Sequence, residues 1–218
     1  MTERITWESK ASMLQRGKVL MERFCAANSM PIPSVTEAPP ENWEFGVCAY
    51  YRQNVTTISV KHCANIGFAG MSWSFPGHSV DRTPYGVIAH ELGHHSDMLK
   101  STKVGRYYGN FSIEMRERTG HEMPLTSYCP NDAEWFAEMF RLFVTNPDLL
   151  RNLRPRTHAD MLQHFKPVFV DTWRERLAGA PERTILSIER KLTPKPASKP
   201  RARKQAQETL LPLMEAPK

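Results

Sequence analysis

The chain has 218 residues, of which 40% are hydrophobic, and a formal net charge of +6; that is enough for one substantial core and too little for a string of large domains. It contains no run of roughly 18 apolar residues, and the charged segment 1–10 leads into no apolar h-region, so the expectation is a cytoplasmic chain with neither a membrane span nor an export signal. Cys25, Cys48, Cys63 and Cys129 show no CxxC spacing, which argues against a thiolate zinc site or a disulfide framework and for reduced, mostly buried thiols.

In chain order, residues 8–29 predict a helix with Leu14, Val19, Leu20 and Phe24 as apolar positions, and Pro31, Pro33, Pro39 and Pro40 break the chain after it. Residues 44–52 and 55–61 are enriched in β-branched and aromatic side chains on either side of Gln53-Asn54, the pattern of a hairpin. The stretch that follows is loop-like, with Gly67, Gly70 and Gly77 among Ser72, Ser74 and Pro76, and such loops often line sites.

Residues 83–100 predict the next helix. Thr83 can cap it, Pro84 suits its first turn, and Val87, Ile88, Leu92 and Leu99 supply apolar packing. It carries His90-Glu91-Leu92-Gly93-His94. A separation of four residues puts His90 and His94 one turn apart on the same face, so both imidazoles can be directed at one point. That point suits Zn²⁺, which takes imidazole nitrogen at roughly 2.0–2.1 Å and, in a catalytic site, uses three protein ligands and leaves a fourth position to water. Glu91 then stands beside that water as general base. Gly93 is expected to give the metal room, and His95, pointing away from the His90/His94 face, to lie behind the site or on the surface.

Residues 101–127 hold Tyr107, Tyr108 and Phe111 among glycines and a short charged helical stretch, 113–118, and read as an insertion that shapes the cleft. A third ligand must come from another element, and residues 131–145 are the best source. Asn131 can cap this helix, while Trp135, Phe136, Met139, Phe140 and Phe143 form a broad apolar stripe. Glu134 and Glu138 share one face of it. Carboxylates beside an apolar surface need compensation, which a zinc ion would supply; by spacing alone, Glu134 equally fits a capping box with Asn131, and Glu138 an ion pair with Arg141 or Arg118. After the turn at Asn146-Pro147, residues 158–177 again show helical spacing.

From about Pro194 the composition changes to alternating prolines and cations without core-forming residues, so 1–190 reads as one domain and 191–218 as a disordered basic tail. The tail holds seven basic side chains against Glu208 and Glu215, which accounts for +5 of the chain's +6. A flexible basic arm binds phosphates through counterion release, and Gln207-Glu208-Thr209-Leu210-Leu211 resembles the short peptides that bacterial replication proteins insert into the sliding clamp. These features define the alternative reading: a nucleic-acid or replication-clamp associated binding protein whose zinc site is structural or degenerate.

Two segments together resemble a known family. Leu125-Thr126-Ser127-Tyr128, followed by residues 131–142 (NDAEWFAEMFRL), is similar to the end of the peptidase domain of anthrax lethal factor and its relatives, and His90 to His94 is similar to their zinc helix. The likeness covers about residues 83–145. It implies an α+β, zincin-like metallopeptidase fold, mostly helical with a small sheet beside the zinc helix, and a gluzincin activity on a protein or peptide substrate. It also implies one Zn²⁺ per chain on His90, His94 and Glu134, with Glu91 as catalytic base and Tyr128 helping to stabilise the transition state. Asp97 and Glu138 match two further acidic residues of the family, and Asp97 is placed where it can orient a ligand imidazole. The spacing from Tyr128 to Glu134 is one residue shorter than the family's, with Cys129-Pro130 in that turn. In zincins a strand upstream of the zinc helix binds substrate backbone by strand addition, and residues 55–62 or 64–73 are the expected equivalent.

Overall fold

The computed structural model describes residues 8–37, 47–66, 74, 76–105, 109–126 and 128–168. The described residues are α+β: six helices and one three-stranded sheet. In chain order they are α1 (Lys10–Ala27), β1 (Ser34–Thr36), β2 (Ala49–Arg52), β3 (Val55–Ile58), α2 (Pro84–Lys100), α3 (Phe111–Arg118), α4 (Asp132–Thr145), α5 (Pro147–Leu153) and α6 (Pro155–His164). None of these helices is long and apolar enough to cross a membrane.

Local chemistry sets the boundaries. Ser9 accepts from the Ser12 amide to start α1; Gln53 and Asn54 both adopt positive φ, 50° and 63°, and so turn β2 back onto β3 with Ala49 opposite Ile58. The predicted hairpin is therefore present, and β1 adds in parallel on the other side of β3, with Ser34 opposite Val55. This order corrects one expectation: β3 lies between β1 and β2, its ladder is occupied on both sides, and residues 55–58 cannot accept a substrate strand. Of the alternative, 64–73, only the first three residues are described.

Helix α4 is buried on almost every side: Trp135, Phe136, Met139, Phe140, Leu142 and Phe143 have no exposed surface, each such burial being worth about 1.5–3 kcal/mol. It packs along α2, which in turn packs on α1. Phe24 of α1 meets Phe140 edge to face at 5.1 Å, and Phe165 closes the same cluster at 5.4 Å from Phe140. The last helix differs from the expected 158–177. Pro155 begins α6 earlier, and α6 ends at His164 because Phe165 turns extended to bury its ring in that cluster; the expected continuation past 168 lies outside the described residues, as do the tail 191–218 and its clamp-like peptide.

Gly93 does not make room for a metal. A Cβ built on it would stand 2.8 Å from Cα of Ala137 and 3.3 Å from Cβ of Phe140, so its missing side chain is what lets α2 and α4 approach. In an exposed helix Gly→Ala gains up to about 1 kcal/mol; here Gly93→Ala is expected to lose about 1–3 kcal/mol by overpacking. A denaturant midpoint unchanged or raised by this substitution would contradict the close helix approach.

Candidate metal centre

The close passage of α2 and α4 brings the two predicted ligand faces together. Thr83 caps α2 by accepting from the Gly86 amide, and Asp81 fixes Thr83 by accepting from its N–H at 3.0 Å and its hydroxyl at 2.6 Å. Asn131 caps α4 by accepting from the Glu134 amide at 2.9 Å. Both predicted caps are present, and the Glu134 carboxylate turns toward α2. One of its oxygens lies 3.0 Å from Nε2 of His90 and the other 3.5 Å from Nε2 of His94. Ligand atoms of His90, His94 and Glu134 all fall within 4.8 Å of one another, a group able to hold a metal ion. The three side chains are 12%, 14% and 16% exposed, which is dry enough to strengthen ligation and open enough to admit an ion.

Behind His90 stands Glu138. One of its oxygens lies 2.9 Å from Nδ1 of His90, and the other accepts from Thr126 Oγ1 at 2.8 Å and from the Arg141 guanidinium at 2.7 Å. A carboxylate on Nδ1 fixes the imidazole's orientation and leaves Nε2 facing the site. Arg141 is itself buried and donates to the Asp81 and Ser79 carbonyls at 3.1 and 2.7 Å, so the same guanidinium ties the entry of α2 to Glu138. Spacing offered the Arg141 pair as a competing use of Glu138; Glu138 makes both contacts at once. Thr126 and the loop-anchoring role of Arg141 were missed, although a cation on an otherwise apolar, buried helix face is a signal for such a role.

Glu91 is buried, and its Oε2 has no hydrogen-bond partner among the described residues. A buried carboxylate oxygen with nothing to accept from is costly, and one beside two histidines and a glutamate is placed for a water or a substrate proton. Burial raises its pKa, and the neighbouring His94 and His90 offset this in part. Tyr128 extends over the site from the loop before α4, its ring centroid 6.2 Å from that of His90 and its side chain largely exposed. Desolvation on its inner side, then the Glu134 and Glu91 carboxylates, push its pKa up to about 12, so the phenol keeps its proton at neutral pH.

Two expectations need correction. Asp97 makes no hydrogen bond to an imidazole among the described residues: it accepts from the Gly109 amide at 3.2 Å and from the Ser112 amide and hydroxyl at 2.7 and 3.1 Å, and thereby ties the end of α2 to the start of α3. His95 is neither on the surface nor behind the site. It is fully buried, with Nδ1 2.9 Å from the Tyr51 hydroxyl and Nε2 2.7 Å from the Pro31 carbonyl, and so joins α2 to the sheet.

The ligand cluster carries its own pH dependence. Burial works against a charged His90, but the hydrogen bonds to Glu134 and Glu138 outweigh it and raise its pKa to about 10, while Glu134 is held well below the carboxylate range once those bonds overcome its burial. A raised histidine pKa stabilises the metal-free fold fully below about 6.5 and loses that contribution as pH rises through about 10. Since a metal binds neutral imidazole, uptake at pH 7 is expected to expel about one proton. Calorimetry in buffers of different ionisation enthalpy reads this directly; a heat independent of buffer would contradict it.

No family model matches the sequence, and comparisons with curated proteins and with solved structures found no match either.

Proposed function

We propose that this chain is a zinc-dependent metallopeptidase of the gluzincin type with a zincin-like active-site arrangement. The observation that carries the reading is the convergence of His90, His94 and Glu134 beside Glu91, whose buried Oε2 lacks a partner. Two imidazole nitrogens and a carboxylate are the donor set of a catalytic rather than a closed structural zinc site, which has four protein ligands. Bound there, zinc would supply Lewis acidity, lowering the pKa of water and polarising a carbonyl.

The remaining work falls to side chains of this chain. Glu91 takes the proton of the attacking water and delivers it to the leaving amine, a role helped by the upward push that burial gives its pKa. Tyr128, protonated and reaching into solvent above His90, donates a hydrogen bond to the oxyanion of the tetrahedral species. Glu138, held by Thr126 and Arg141, keeps His90 aimed. Substrates are proteins or peptides able to reach the partly open face on which Tyr128 lies.

Hydrolysis of a mixed peptide library, followed by mass spectrometry, tests the proposal. New termini should appear with the purified protein, vanish on chelation and return when zinc is restored. A zinc-loaded, folded protein that cleaves nothing in a broad library would overturn it.

A further inference from the structure

Residues 122–126 have no regular secondary structure, yet each of them is held in place. The Glu122 carboxylate accepts from the Arg156 and Thr157 amides at 3.2 and 2.9 Å and from the Thr157 hydroxyl at 2.7 Å. It thereby caps α6, whose own N-cap residue, Arg154, makes no side-chain cap. The Glu122 carbonyl accepts from the indole N–H of the buried Trp135 at 2.9 Å. Arg154 turns its guanidinium back along the same segment, Nε donating to the Met123 carbonyl and Nη2 to the Pro124 carbonyl at 3.2 Å. Leu125 packs against the core, and Thr126 donates to Glu138 at 2.8 Å.

All of these ties lie on the chain just before Tyr128. That side chain is 61% exposed, so its position follows from its backbone more than from neighbours around the ring. One planar guanidinium on two successive carbonyls leaves that backbone little freedom, because the fork fixes direction as well as distance. Thr126 then sets the segment against the site itself, since the carboxylate that receives it also faces Nδ1 of His90 at 2.9 Å. The ligand group takes no residue from α5 or α6; residues 122–126 are what connect those helices to it.

We propose that Arg154 and Glu122 are positioning residues for the hydrolysis: they clasp residues 122–126 between α4 and α6 and so hold Tyr128 where its phenol meets the oxyanion. The inference rests on the peptidase reading and on the role that reading gives Tyr128. Neither Arg154 nor Glu122 touches substrate. A donor to the oxyanion contributes only in the transition state, so a loosened clasp lowers kcat and leaves KM and zinc affinity as they were. A displacement of about 1 Å in such a group costs up to about 10²-fold.

The test is a double-mutant cycle on the zinc-loaded, full-length protein, assayed with a fluorogenic peptide built on a sequence that the wild type cleaves. Tyr128→Phe should lower kcat about 10²-fold. Arg154→Ala should lower it about tenfold with KM and zinc affinity unchanged, and by less than about twofold when Tyr128→Phe is already present. Glu122→Gln, which leaves one acceptor oxygen for three donors, should behave in the same way, and it replaces Arg154→Ala if that variant does not fold. A wild type that cleaves no peptide overturns the peptidase reading and this inference together. A wild type that cleaves overturns the inference alone if the Arg154→Ala and Tyr128→Phe losses multiply, if the Arg154→Ala loss falls on zinc affinity, or if either substitution leaves kcat unchanged.

Discussion

Glu91→Gln is expected to lower peptide hydrolysis by about 10²–10⁴-fold while leaving metal content unchanged, because it removes the general base and no ligand. Gln has nearly the same shape and can still hold a water, but it cannot take a proton. The same substitution carries a second, oppositely directed signature. Burial raises the Glu91 pKa, so in the metal-free fold its charge opposes folding above the ordinary carboxylate range. With chelator present, Glu91→Gln should therefore raise the Tm at pH 7. Retained hydrolysis would remove Glu91 from the chemistry; retained metal with a lowered chelated Tm would show that its burial is compensated in another way.

Glu134→Ala should do the reverse, abolishing activity by removing the metal. Its carboxylate faces both Nε2 atoms, and no other carboxylate among the described residues joins them in a metal-binding group. Loss of an outer partner such as Glu138 costs roughly 10–100-fold in affinity, and loss of a direct ligand should exceed about 100-fold. His90 is informative here as well. Without Glu134 it loses the first of the two hydrogen bonds that raise its pKa, so the proton expelled on any residual metal binding should diminish. Competition with a chromophoric chelator gives the affinity, and an unchanged value would exclude Glu134 as a ligand.

Features that rest on short-range geometry were legible in the sequence. The i, i+4 histidines, the caps Thr83 and Asn131, the Gln53-Asn54 turn and the apolar stripe of α4 each follow from spacing and residue type, and each is present. Features decided by what stands opposite were not. Gly93 reads equally as space for an ion or for a helix, and only the position of Ala137 decides. Asp97 occupies a face that allows contact with an imidazole, yet the amides of Gly109 and Ser112 reach it instead. His95 looks exposed in a helical projection because the projection does not contain the sheet and the Pro31 carbonyl that bury it. The end of α6 is set by the aromatic pocket that receives Phe165, a long-range demand that overrides the helical spacing of 158–177. Glu138 is the instructive middle case: spacing allowed a pair with Arg141 and likeness implied a place beside the motif histidines, and its two oxygens contact Arg141 and His90 respectively.

The metal content of the purified full-length protein, measured by elemental mass spectrometry after dialysis against metal-free buffer, bears most directly on the reading. About one zinc per chain is the result the proposed function predicts, since ligand atoms of His90, His94 and Glu134 lie close enough together to hold an ion. A folded protein that holds no zinc, even after exposure to the ion, would contradict it.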